Sequence, residues 1–157
     1  MKVRSDFVTN SSSSSFILGF TSENKIKDEL LKDSMSILVE HIVLDDVLKA
    51  EKFGKEKVEK IIREELQYIA RYRVMDKYEM DGYNFDFVHN YIDSVEGKKE
   101  IEKYIQDIVD KSMKRIKEDN LSVFVEVEYS DDWIDEQALE RDIMPYLKST
   151  VIDFSHH

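Results

Sequence analysis

Apolar residues recur along most of this chain at intervals of three and four, the spacing that gathers them on one side of an α-helix. Ile26, Leu30, Leu31, Met35, Leu38 and Ile42 form the first stripe, which reads as one amphipathic helix. Asp45-Asp46 before Val47-Leu48 restarts a short helix, and Gly54 separates it from the next element. Val58, Ile61, Ile62, Leu66, Ile69 and Tyr72 line the longest predicted helix, over residues 55–78. Asp81-Gly82 is a turn signal after it. Phe85, Val88, Tyr91, Ile92 and Val95 make another helical face, closed by Gly97. Ile101, Tyr104, Ile105, Ile108, Ser112, Met113 and Ile116 make a third, ending near Asp119-Asn120, where asparagine tolerates the left-handed conformation that stops a helix.

The period then changes. Leu121, Val123, Val125, Val127 and Tyr129 alternate with Ser122, Phe124, Glu126 and Glu128, which predicts a strand with one wet side or an edge strand. Ser15 to Phe20 has the content of a short buried strand, with Thr21 to Asn24 as the turn and cap behind it. Val151 to Phe154 reads as a final strand. Between the last two strands lies a helix carrying Ile134, Leu139, Ile143 and Leu147, capped by Ser130, Asp131 or Asp132 and kinked at Pro145. This order predicts a single α/β domain over residues 1–157, with a small three-stranded mixed or parallel sheet covered by several helices. Strand-helix-strand at the end of the chain suggests a parallel pair joined by a right-handed crossover.

Composition narrows the function classes. A chain of 157 residues, 41% hydrophobic and 36% charged, has enough apolar material for a core without covalent staples. The absence of cysteine excludes disulfides and thiolate chemistry, and a cytoplasmic setting is the simplest reading. The N-terminus MKVRSDF has no apolar run behind it, and Phe16 to Phe20 is too short to span a bilayer, so no membrane role is expected. Thirty-four acidic against 23 basic residues leave a formal net charge of -11, which repels phosphate and argues against nucleic acid as a partner. A basic partner, a cation or another protein fits that charge better.

The least ordinary stretch is Phe7-Val8-Thr9-Asn10, then Ser11 to Ser15, then Phe16. It resembles the opening of a broad group of uncharacterised bacterial proteins that begin with phenylalanine, valine, threonine or serine, asparagine, a polyserine run and phenylalanine. Tyr129-Ser130-Asp131-Asp132 and the ending Ser155-His156-His157 are similar to endings in that group. The resemblance implies a bacterial protein and supplies no catalytic residue. Chemically, the serine hydroxyls and the Asn10 amide are donors and acceptors. The plain reading is an ordered loop or extended arm that hydrogen-bonds to its own domain; the functional reading makes Asn10, Ser11, Ser12 and Ser13 the candidate residues for a small ligand or cofactor. The run lacks the glycines and following lysine of a phosphate loop.

Two further constellations carry chemistry. Asp131, Asp132, His156 and His157 follow the carboxyl ends of two predicted strands, where open α/β sheets place their ligands, and could bind zinc or manganese. If the first strand runs antiparallel to the others, the serines reach the same edge. The competing reading makes one aspartate a helix cap and leaves the final histidines frayed. Tyr68, Tyr72, Tyr78, Tyr83, Phe85, Phe87 and Tyr91 suit packing against another subunit, or else fill the domain's own core. Trp133 marks a local packing position or a contact surface. His41 reads as a structural histidine, and His89 lies three residues from the carboxylate of Asp86. No strand-serine-glycine elbow is present, so no nucleophilic mechanism is written. The sequence thus predicts an interaction or structural protein, or a homo-oligomer, working without a cofactor in the bacterial cytoplasm. The alternative is a metal-dependent hydrolase or cation-binding protein using the strand-end carboxylates and histidines.

Overall fold

The computed structural model describes residues 13–130 and 132–154. Its elements are strand β1 (Ser14–Phe20), helix α1 (Ile26–Asp33), a wide π-helical turn (Val39–Val43) running into α2 (Leu44–Lys49), and α3 (Lys55–Met80). Then follow α4 (Phe85–Asp93), α5 (Val95–Glu118), β2 (Val123–Tyr129), α6 (Ile134–Ala138), a second π-helical turn (Leu139–Ile143), a 3-10 turn (Met144–Tyr146) and β3 (Thr150–Phe154). The chain gathers into two compact units. One comprises the described residues up to Val58 together with those from Lys114 onward, and the other comprises Glu59–Met113.

The first unit is built on a three-stranded sheet in the order β2-β1-β3. Three strands were expected, but their arrangement differs from a parallel or mixed sheet. β1 pairs antiparallel with both neighbours. β2 and β3 run in the same direction without touching, because β1 occupies the place between them. The physical reason lies in β1 itself: every residue from Ser14 to Phe20 is buried, so this strand satisfies its backbone and covers its faces only at the centre. Phe16, Leu18 and Phe20 point to the same side as Val125, Val127 and Tyr129 and meet Ile26, Leu30, Val39, Val43, Val47, Leu139, Met144 and Leu147 in one core. Gly19 faces the other side, where an added Cβ would stand 2.9 Å from Leu121, Phe124 and Val151 side chains. Phe53 bridges Phe124 on the outer edge of β2 and covers part of that edge.

The stripe from Ile26 to Ile42 is not one helix. It breaks after Asp33, and Ser36 restarts it by accepting a hydrogen bond from Leu38 N–H at 3.3 Å. Met35 is fully exposed in the break. The helix after β2 begins at Trp133 without a side-chain cap, so Asp132 does not play that part, and Ile134 faces solvent rather than the core.

The second unit is helical. Ile62, Leu66, Ile69, Ala70 and Val74 of α3, Val88 and Ile92 of α4, and Ile101, Ile105 and Val109 of α5 are its buried apolar residues. Arg63 reaches from α3 to Glu102 at 2.9 Å and to Gln106. Gly82 turns the chain between α3 and α4 with φ of +91°, a conformation that other residues adopt only under strain. Gly97 does not close α4. It lies in the first turn of α5, where a Cβ would fall 2.0 Å from the Tyr91 carbonyl oxygen, so only glycine permits the junction to be this tight.

Candidate functional site

The antiparallel pairing of β1 brings the end of the serine run to the carboxyl ends of the other strands: Ser14 lies opposite Tyr129, and Ser15 opposite Phe154. Ser13, Ser14 and Ser15 are all buried. The Ser14 hydroxyl donates at 2.8 Å to Oε1 of Glu140, itself only 3% exposed. Glu140 stands beside Leu139 in the π-helical turn, whose extra residue widens the helix and brings both side chains inward. The Tyr129 hydroxyl donates to Asp46 Oδ2 at 2.9 Å, and burial followed by the charge of Asp46 pushes its pKa far up. The Ser130 N–H donates to Glu136 at 3.1 Å, while its hydroxyl lies 3.0 Å from the same carboxylate and 3.2 Å from Asp132.

Of the residues expected to form a site here, Asn10, Ser11, Ser12, Asp131, His156 and His157 lie outside the described residues. Ser13 is buried just before β1, and Asp132 is exposed and engaged with Ser130. Among the described residues, no group of three or more histidines, aspartates and glutamates is placed to hold a metal ion. Ser14 and Ser15 belong to the backbone ladder, and the Ser14 hydroxyl faces a carboxylate in the interior. This arrangement orients and fixes the end of the serine run. Sequence periodicity missed Glu140 and Asp46, whose hydroxyl partners lie 126 and 83 residues away, and Glu136, which meets Ser130 six residues back across the junction of β2 and α6, which no periodic pattern marks.

The second concentration of polar and aromatic chemistry lies at one end of the helical unit. Tyr78 of α3, Tyr91 of α4 and Glu100 of α5 converge: the Tyr91 hydroxyl donates to Glu100 at 2.6 Å, that of Tyr78 at 2.9 Å, and Lys77 at 2.8 Å. Burial alone would raise the Glu100 pKa, but the hydrogen bonds from Lys77, Tyr91 and Tyr78 outweigh it and hold the carboxyl below its ordinary value. The same hydrogen bond to Glu100, followed by that of Tyr78, pushes the Tyr91 phenol well above its ordinary range.

Four rings are assembled on this framework. Tyr83 stacks on Phe87 with centroids 4.5 Å apart, Tyr78 meets Tyr83 edge-on at 5.6 Å, and Tyr78 lies 4.6 Å from Tyr91. Asn84 caps α4 by accepting from Phe87 N–H at 2.9 Å, which fixes where Phe85 and Phe87 project. Tyr83, Phe85 and Phe87 are 48%, 66% and 43% exposed, and Tyr68 and Tyr72 lie further back on α3, also exposed. These rings therefore do not fill the core. His89 packs on Phe85 at 4.0 Å rather than pairing with Asp86. The cleft lined by Gln67, Arg71, Ile92, Lys98, Ile101 and Glu102 in the same unit is already occupied by ion pairs, Arg71 with Asp93 and Glu102 with Arg63.

No protein-family model matches the chain, and no curated protein or solved structure is significantly similar to it.

Proposed function

We propose that this chain works by binding another protein rather than by catalysis, in the bacterial cytoplasm, and that the aromatic end of its helical unit is the contact surface. The observation that carries the reading is the exposure of Tyr83, Phe85 and Phe87 on a capped, hydrogen-bonded framework. Aromatic side chains with few rotatable bonds supply large contact area at small entropic cost, and they are the residues that most often dominate binding energy. Tyr83 and Phe87 stack with their outer faces in water and Phe85 projects beside His89, and this exposed aromatic area costs hydrophobic free energy that a partner would recover. The sheet-edge serines offer less to a ligand, because the described ones are buried, Ser14 and Ser15 lie in the backbone ladder and the Ser14 hydroxyl is held by Glu140.

The test is selection of a displayed random-peptide library on the intact chain and on its Phe85→Ser/Phe87→Ser variant. Peptides enriched by the first and lost on the second are the expected outcome. Enrichment that ignores the substitutions, or no enrichment at all, would remove the reading. Light scattering across a concentration series separates a second copy from a different partner.

A further inference from the structure

We infer that the partner segment received by this aromatic end is rich in lysine and arginine. The inference rests on the reading above and adds the chemistry of the occupant. From Glu79 to Phe87 the chain reads Glu-Met-Asp-Gly-Tyr-Asn-Phe-Asp-Phe: three carboxylates, three aromatic rings and no lysine or arginine. Residues 79–87 are all exposed. The neighbouring cation, Lys77, is held by Glu100 at 2.8 Å, and no ion pair to Glu79, Asp81 or Asp86 is formed among the described residues.

A cation already meets an aromatic ring of the same framework, for the Lys77 ammonium stands 5.1 Å from the centroid of its neighbour Tyr78. An aromatic face with carboxylates around it attracts ammonium and guanidinium groups twice, through the ring quadrupole and through charge. A guanidinium lies flat on such a ring while its edge meets a carboxylate. A second copy of this chain brings the same negative end and a further net charge of -11, so self-association through this surface is opposed. Phosphate-rich partners are opposed for the same reason.

The experiment uses the full chain and three labelled peptides: alternating lysine and serine, the same peptide with every lysine acetylated, and its glutamate counterpart. Anisotropy measures affinity, and amide chemical shifts locate the contact. The lysine peptide is expected to move resonances of Tyr78 to Tyr91, and its affinity to fall as salt rises from about 0.02 to 0.3 M. The acetylated and glutamate peptides are expected to bind at least ~10-fold more weakly. Phe85→Ser/Phe87→Ser removes the rings, and Glu79→Gln/Asp86→Asn removes charge while keeping shape; each should weaken the lysine peptide by about 5- to 10-fold.

Equal binding of the acetylated peptide overturns the inference, as does a lysine-peptide affinity that both variants leave unchanged. Insertion of these rings into phosphatidylcholine vesicles, with no response to the lysine peptide, also overturns it and makes the surface a lipid contact. If the lysine peptide fails while library-selected neutral peptides still need Phe85 and Phe87, the inference falls and the interaction reading stands. If both experiments fail, both fall.

Discussion

Glu100 accepts from three donors on two other helices, Tyr91, Tyr78 and Lys77, and so joins the parts of the aromatic end. Its folded pKa lies below 4.5, so its contribution to stability is present above that pH and is lost as pH falls through the lower folded value. Thermal midpoints of the parent and Glu100→Gln proteins should therefore differ most at neutral pH and converge as acidification protonates the Glu100 carboxylate. Tyr91 gives the alkaline counterpart, since its phenol is raised above 10.0. Its stabilisation is complete below that pH and is lost as pH climbs beyond it. Absorbance at ~295 nm should show one phenol fewer resisting ionisation in Glu100→Gln than in the parent protein. At the sheet edge, Glu140→Ala should cost about 1–3 kcal/mol in denaturant unfolding, because the buried Ser14 hydroxyl loses its acceptor. A neutral result would mean that the bond contributes nothing net. None of these partners was visible from spacing, since Ser14 and Glu140 are 126 residues apart and Glu100 meets Tyr91, Tyr78 and Lys77 from a different helix.

Among the elements, the helices were the most legible. The apolar stripe over residues 55–78 emerged as Lys55–Met80, and the stop at Asn120 is a left-handed residue with φ of 52°. The stripe from Ile26 to Ile42 misled because apolar spacing survives a break that serine hydroxyls stabilise locally. Gly97 misled because a glycine reads the same whether it ends a helix or admits a neighbouring backbone. The two glycines of the helical unit separate these roles. Gly82→Ala meets open space and should cost only its left-handed backbone, about 1–2 kcal/mol. Gly97→Ala must push the Tyr91 carbonyl aside, costing about 1–3 kcal/mol. Because the junction moves, only Gly97→Ala should also loosen the Tyr91–Glu100 bond and lower the Tyr91 titration. An unchanged titration in that variant would show that the junction accommodates the methyl group elsewhere.

For the whole molecule, a net charge of -11 opposes compactness through self-repulsion. Raising salt from about 0.02 to 0.3 M should therefore raise the thermal midpoint, as the screening length falls from roughly 20 Å to 6 Å. A midpoint that falls with salt would mean that the surface pairs, such as Lys49 with Asp45, outweigh the repulsion. No helix among the described residues is long and apolar enough to cross a membrane, which agrees with the short apolar runs of the sequence. The sequence by itself determined most of the local periods: the long helices, the alternating strand over residues 121–129, and that the segment Ser15 to Phe20 is apolar enough to be a buried strand. Periodicity records only neighbours a few residues away. Strand order, the meeting of Ser14 with Glu140 and the convergence of Tyr78, Tyr91 and Glu100 depend on closure between remote segments. Only the tertiary structure decided them, and only it showed that Tyr83 in the turn and Phe85 and Phe87 in α4 stay at the surface while Val88 and Ile92 of α4 turn inward.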